Sequence, residues 1–265
     1  MLFFHFYKTM LSKNKIKFIR SLEQKKYRKE AKAFLAEGSK LVGDLQGHFH
    51  CHLVAGTSQW LANNPNFQAD EIIEVSREEL SRASLLKTPK DVLKTPKDVL
   101  AVYALPEYPT PMDKAQTSLC LALDDVQDPG NLGTIIRIAD WFGIEHIFCS
   151  HGTVDAFNPK TVQATMGALA RIQLHYCDLG ELIDSLGNTP IYGTFLDGTD
   201  MYQEELSETG LIVMGNEGNG ISHEIAQRIN RKILIPNYPK GCETSESLNV
   251  AVATAIVCSE FRRRM

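Results

Sequence analysis

Beyond residue 118 the chain is a succession of short apolar runs, each the length of a buried strand and each followed by polar or glycine-bearing residues. Strands are expected at 119–126, 146–150, 191–196, 211–215 and 232–235, with helices at 131–142, 158–169, 179–186, 222–230 and 247–262. Apolar runs alternating with helix-sized stretches restrict the fold to α/β, a mostly parallel sheet with helices on both faces. Three runs lead into segments of unusual composition. These are Asp128-Pro129-Gly130-Asn131-Leu132-Gly133 with Arg137 following, Gly215-Asn216-Glu217-Gly218-Asn219-Gly220, and Ile235-Pro236 followed by Ser245-Glu246-Ser247-Leu248-Asn249. Glycine permits sharp turns and close approach of a ligand. Such turns beside buried strands are where an α/β sheet assembles its site.

The first half has a different texture. Ile16, Ile19, Leu22, Tyr27, Phe34 and Leu35 recur at helical steps, which predicts a helix over 14–37 and, after Gly38, a second over 40–46. Strand candidates at 51–55, 71–75 and 99–105 complete a smaller α/β domain over 13–105. Pro106, Pro109 and Pro111 mark a linker at 106–117, leaving 118–265 as the second domain. Residues 1–12 read as a disordered or artefactual extension, because no charged segment precedes their apolar run and no small-residue cleavage site follows it. Residues 86–92 repeat word for word as 93–99. A proline in each copy excludes a coiled coil, so the duplication reads as a lengthened surface loop.

A net charge of −4 confines any nucleic-acid contact to a local patch. One exists: residues 13–32 hold nine basic residues against Glu23 and Glu30. A solvated helix face and a phosphate-binding surface both account for it, with Lys25, Lys26, Tyr27 and Arg28 the candidate nucleic-acid contacts. Arg262, Arg263 and Arg264 read as a helix-end charge set. The six cysteines form no Cys-x-x-Cys pair and are expected as reduced core residues, in keeping with a cytoplasmic protein. No apolar run approaches the ~20 residues that span a bilayer.

Several chemistries lack their residues. There is no Gly-x-x-x-x-Gly-Lys-Ser/Thr loop, no Gly-x-Ser-x-Gly elbow, and the glycines of 215–220 do not follow the dinucleotide spacing. His48, His50 and His52 alternate as one face of a strand, but no partner cluster is visible in sequence, so a surface strand and no metal is the preferred reading. Arg137 lies among Ile135, Ile136, Ile138 and Ala139, where a cation needs a partner. Glu217 and a substrate phosphate are the candidates.

Together the three segments, in this order, resemble the motifs of the SpoU (TrmH-like) RNA ribose methyltransferases across the last ~150 residues, a far more specific signal than a lone motif. Lys26-Tyr27-Arg28 and Phe34-Leu35-Ala36-Glu37-Gly38 more weakly resemble the substrate-binding domain that often precedes them. The resemblance implies a knotted α/β domain acting as a homodimer, with S-adenosylmethionine-dependent 2′-O-methylation of RNA and rRNA favoured over tRNA. It places the methyl donor against Gly215, Ile235 and Leu248, with Leu196, Asn216 and Gly220 around them. Asn131, Arg137, Glu217, Ser247 and Asn249 become the catalytic and substrate-binding set. A guanidinium has a pKa above ~12 and does not accept protons, so Arg137 is expected to clamp a phosphate and stabilise a developing alkoxide. The donor is a sulfonium without phosphates, so neither a phosphate loop nor a metal is expected. The loop 236–246 is longer and more polar than the shortest family versions. A catalytically silent RNA- or ribosome-binding protein on the same fold is the competing reading, and a small-molecule enzyme is a second.

Overall fold

The computed structural model describes residues 10–85, 97–239, 242 and 247–264. Of the expected extension 1–12, residues 1–9 lie outside the described residues, as do 86–96 of the duplicated stretch 86–99 and 240–241 and 243–246 of the last loop. The end of that extension belongs to the fold: Leu11 is buried in the core and the Ser12 side chain caps the first helix. The chain divides into two compact units. One runs to Glu107 and also takes in Phe157–Ala170, and the other comprises Tyr108–Ala156 and Arg171 onward.

In the first unit the single helix expected over 14–37 is three elements, α1 (Lys13–Ser21), α2 (Lys25–Ala31) and β1 (Ala33–Glu37). Lys32 adopts φ 47°, a left-handed conformation that closes α2 and turns the chain. All five residues of β1 are buried although it stands at the edge of its sheet, which suits a strand covered on both faces and not a helix with one apolar stripe. Then come α3 (Ser39–Leu45), β2 (Cys51–Gly56), α4 (Ser58–Asn63), β3 (Glu71–Glu74), α5 (Arg77–Ala83) and β4 (Val99–Ala104). The sheet order is β1-β4-β2-β3, with β4 antiparallel to β1 and β2, and β2 parallel to β3. Phe157, from the late segment of this unit, packs on Phe34 with ring centroids 4.9 Å apart.

The second unit follows its sequence more closely. Its elements are β5 (Leu119–Leu123), α6 (Pro129–Trp141), β6 (His146–Cys149), then, beyond α7 (Pro159–Thr165) of the first unit, β7 (Gln173–Tyr176), α8 (Leu179–Ser185), β8 (Ile191–Asp200), β9 (Gly210–Met214), α9 (His223–Ala226), β10 (Arg231–Leu234) and α10 (Val250–Arg263). Six strands pair in the order β10-β8-β9-β5-β6-β7, every pairing parallel. Strand β7 is absent from the expectation because it is short and polar, with Gln173 and His175 in four residues. Strand β8 runs past 196 to Asp200, and its pairing with β10 shifts register between Lys232 and Ile233. The strands β5 and β9 are buried at every position and adjacent. Parallel pairing therefore delivers the loops after both to one edge of the sheet.

The three C-terminal arginines do more than face a helix dipole. Arg262 donates to the carbonyls of Phe142 at 2.6 Å and Gly143 at 3.0 Å, closing the end of α6. Arg263 and Arg264 share the carboxylate of the buried Glu260, and Arg264 also donates to the Met201 carbonyl at 2.9 Å. Glu260 is thereby held down to about 2, by the Arg263 hydrogen bond first. All six cysteines are free thiols. Cys51, Cys120, Cys149 and Cys258 are buried as expected of core residues, whereas Cys242 is exposed.

A buried imidazole pair joins β6 to β7. His146 Nδ1 lies 3.1 Å from His175 Nε2, with the rings stacked at 5.3 Å and Tyr108 and Phe148 against His175. Burial, then the neighbouring His146, lowers His175 from 6.5 to about 4. An unfolded chain would bind a proton at His175 in that interval and the folded one would not. Stability should therefore fall as pH drops from 6.5 toward 4, by up to ~1.4 kcal/mol per pH unit for one proton. Urea unfolding followed at several pH values should show this slope, and His175→Phe should flatten it. An unchanged slope in that variant would place the acid sensitivity elsewhere.

Candidate active site

The site grows from the loop after β9. Asn216 and Gly220 close the loop with reciprocal backbone hydrogen bonds of 2.9 and 3.0 Å. The Asn216 side chain serves both sides of the turn. Its Oδ1 accepts from the Gly218 and Asn219 amides at 2.9 and 3.0 Å, and its Nδ2 donates to the Asp125 carbonyl at 2.7 Å. Asp124 accepts from the Ser222 amide at 2.8 Å, a second tie between the loops after β5 and β9. At Gly215 a Cβ atom would stand 2.2 Å from the Gly220 carbonyl carbon and the Ile221 nitrogen. Only glycine fits there.

Glu217, at the tip of this turn, reaches the start of α6. Its carboxylate accepts from the backbone amides of Gln127 at 3.2 Å and Asp128 at 3.1 Å, and from Asn131 Nδ2 at 3.0 Å. Asp128 caps α6 by accepting from the Asn131 amide at 2.8 Å. Burial pushes the Glu217 pKa up, but hydrogen bonds led by Asn131 outweigh it and hold the carboxyl below its ordinary value. The Asn131 side-chain oxygen, Oδ1, accepts in turn from Asn249 Nδ2 at 2.9 Å. Asn249 is the N-cap of α10, its Oδ1 taking the Ala251 and Val252 amides at 3.0 and 3.2 Å. One polar chain, Glu217–Asn131–Asn249, thus joins residues from all three glycine- and asparagine-bearing segments.

Beside it lies a cavity of about 420 Å³. Leu196, Gly215, Asn216, Gly220, Ile235 and Leu248, the six residues expected around a methyl donor, all line it, together with Glu217 and Ser247. The remaining members of the expected catalytic set, Asn131, Arg137 and Asn249, are not among its lining residues. Among the described lining residues the one ionisable side chain is the anion Glu217. Walls without a cation, offering backbone amides and carbonyls and apolar side chains, suit a phosphate-free cationic ligand. The residues present fit S-adenosylmethionine.

Arg137 is placed differently from its expectation. It is exposed on α6, while Ile135, Ile136 and Ala139 are the buried face. Glu217 is committed to Asn131 and the α6 amides, and no ion pair to Arg137 forms among the described residues. Arg28, expected to contact RNA, is also corrected: it is buried, and its Nη1 donates to the carbonyls of Leu22 and Glu23 at 2.8 Å each. Lys25, Lys26 and Tyr27 remain exposed on α2. Sequence reasoning left Asp124 and Asp128 without a role, although an aspartate before Pro129 at a helix start is a recognisable cap.

With this geometry established, comparison with known proteins gives a consistent result. Residues 118–259 match the SpoU rRNA Methylase family, and residues 13–94 match the MRM3-like substrate binding domain. A 23S rRNA (guanosine(2553)-2′-O)-methyltransferase of Bacillus subtilis is 31% identical, covering 94% of this chain and 96% of its own. The chain belongs to the SpoU rRNA methylase family. This SpoU member is also similar to a TrmH-family protein of Porphyromonas gingivalis, at 42% identity and a TM-score of 0.85 over 97% of this chain and 100% of that one. An AdoMet-bound rRNA methyltransferase from Sinorhizobium meliloti is 29% identical with a TM-score of 0.81, covering 98% of each chain. The protein is an RNA methyltransferase with S-adenosylmethionine as its methyl donor.

Gly215 and Gly218 make a controlled pair. Gly215→Ala should destabilise the protein by roughly 2 kcal/mol or more and abolish donor binding, because backbone must move. Gly218→Ala, whose nearest neighbour is Asn216 Oδ1 at 3.6 Å, should leave both nearly unchanged. Thermal denaturation and calorimetric titration with S-adenosylmethionine measure the two effects.

Proposed function

We propose that this enzyme methylates a ribose 2′-hydroxyl of ribosomal RNA, acting in the cytoplasm as a homodimer. The observation that carries the reading is the Glu217–Asn131–Asn249 chain beside a cavity with no cation among its described lining residues. The names of the relatives from Bacillus subtilis and Sinorhizobium meliloti support rRNA over tRNA. No helix among the described residues is long and apolar enough to cross a membrane.

S-adenosylmethionine supplies an electrophilic methyl group carried on a cationic sulfur. Leu196, Gly215, Asn216, Gly220, Ile235 and Leu248 hold it, and the chain's other residues present the hydroxyl. Alignment of the reacting atoms is the first contribution, because a fixed in-line approach removes most of the entropic barrier. Asn131, oriented from one side by Glu217 and from the other by Asn249, and Ser247 at the cavity rim offer hydrogen bonds to the ribose. Arg137 has a long side chain with no protein partner among the described residues. It clamps a phosphate of the target nucleotide and stabilises the negative charge that grows on the 2′-oxygen as its proton passes to water. Lys25, Lys26 and Tyr27 extend the contact to RNA from the N-terminal unit, which matches a substrate binding domain.

The dimer rests on α6 and α10. These helices pack together yet leave Trp141 85% and Val252 50% exposed. A second copy would cover both. Trp141→Glu should yield a monomer in sedimentation or light-scattering measurements and lower turnover, whereas an unchanged dimer would remove Trp141 from the interface.

Mapping 2′-O-methyl sites in RNA from a strain lacking the protein tests the reading as a whole. One rRNA position should lose its methyl group and regain it on complementation, and loss confined to tRNA would overturn the rRNA assignment. Complementation with Arg137→Lys should restore little, with turnover down on the order of 100-fold, since a point charge lacks the planar fork. Near-normal methylation by that variant would sink the specific guanidinium role.

A further inference from the structure

The three alternating histidines do not share one fate. His48 sits in a turn ahead of β2, whereas His50 and His52 project to the same side, as the two-residue repeat of extended chain dictates. The group that sequence did not reveal is Asp70, the residue before β3. Its amide donates to the Cys51 carbonyl at 2.9 Å, and the parallel β2–β3 pairing brings its carboxylate to the two rings. His50 Nε2 lies 2.8 Å and His52 Nδ1 3.2 Å from the same oxygen, Asp70 Oδ2. The rings stand edge to face, centroids 5.0 Å apart. All three ligand atoms lie within 4.8 Å of one another, and all three side chains are solvent-accessible.

We propose that His50, His52 and Asp70 form a binding site for a borderline divalent transition metal of the zinc class. Neighbouring ligands of a tetrahedral zinc at ~2.0–2.1 Å stand about 3.3 Å apart, so the observed separations need only small side-chain rotations. Two imidazoles and one carboxylate favour zinc, nickel or cobalt over magnesium and calcium, which take oxygen ligands. An aspartate carboxyl is ionised at neutral pH by its ordinary acidity, so this ligand needs no deprotonation step there. Cys51 is not a fourth ligand. It is buried, and its Sγ donates to the Leu53 carbonyl at 3.5 Å. His50 and Asp70, though not His52, also line a hollow of about 760 Å³ with His48 and Gln68. With three protein ligands, the fourth position of such a site takes water. Metal binding would cross-link β2 to the start of β3, and so stabilise the folded unit by mass action. The site is separate from the methyl-transfer residues, and nothing in that reaction is routed through it.

Untagged, full-length, metal-stripped protein titrated with zinc by calorimetry tests the site. One equivalent should bind and raise the melting temperature, while magnesium leaves the melting temperature unchanged. Asp70→Asn and His52→Ala, both at exposed positions, should each weaken zinc binding at least ~10-fold. Cys242→Ser, which removes the exposed thiol, should not. Cobalt should add a visible absorption band in the wild type that Asp70→Asn loses. The proposal fails if zinc does not bind saturably. It fails equally if the two ligand variants bind as tightly as the wild type, or if binding disappears only with Cys242.

Discussion

The methyltransferase unit is organised around one carboxylate. Glu217 rises from the turn after β9 and sets both oxygens on the start of α6, where the amides of Gln127 and Asp128 have no intrahelical acceptor. An anion at that end of a helix is also favoured by its dipole. Remove it, and two amides and the Asn131 side chain lose their acceptor together, each a loss on the order of 1–3 kcal/mol where water cannot substitute. The bond does more than stabilise. It aims the Asn131 amide, and through Asn131 it positions Asn249 and the first turn of α10. Three segments separated by some 30 to 90 residues acquire a common geometry from one side chain.

The same arrangement sets the electrostatics. Because Glu217 is held by its own scaffold, it does not neutralise Arg137, and its negative charge stays on the cavity wall, where it suits a cationic donor. Arg137 is left exposed on α6 with its guanidinium uncommitted, the condition a phosphate clamp requires. An Arg137–Glu217 brace would have served stability and consumed the one cation that the three motif segments provide. The glycines fit the same logic. Gly215 lets the turn fold back on itself within van der Waals contact, and Asn216 then holds the turn shut from inside. Their task is closure of the loop, so that the cavity wall is backbone.

The parallel sheet was legible because β5 and β9 are covered on both faces and so read as unbroken apolar runs. The same property hid β1. Phe34 and Leu35 fit the three- and four-residue steps of the preceding helices, and nothing short of Lys32 turning left-handed separates strand from helix there. The six donor-pocket candidates all line one cavity because family motifs report on loops in order. Of the two partners weighed for Arg137, Glu217 is excluded by its bonds to Asn131 and the α6 amides, and sequence could not decide this because residues adjacent in sequence point 100° apart on a helix. Ile136 and Ile138 beside it say nothing about which side it faces. Asp70 was invisible for a different reason: its approach to His50 and His52 depends on the register of β2 against β3, and no local pattern carries register.

Arg28 shows how a charge count along a sequence overstates a surface. Of the nine basic residues in 13–32, Arg28 is buried and spends hydrogen bonds on the carbonyls of the turn between α1 and α2. Lys15 is paired with Glu71, and Lys32 with Glu107 at 2.7 Å, both carboxylates far away in sequence. Exposed pairs of this kind contribute little to stability, but they do cancel long-range field. The remaining exposed basic residues, Lys13, Lys17, Arg20, Lys25, Lys26 and Lys29, lie on α1 and α2, with Lys26 in turn 3.8 Å from Glu30. The positive surface is narrower than the sequence suggests. A surface of that size holds a nucleic acid backbone loosely and through few phosphates. On the proposed reading the basic helices supply approach through phosphate contacts, which position an RNA without specifying it, while Asn131, Arg137 and Asn249 set the geometry at a ribose that every nucleotide shares.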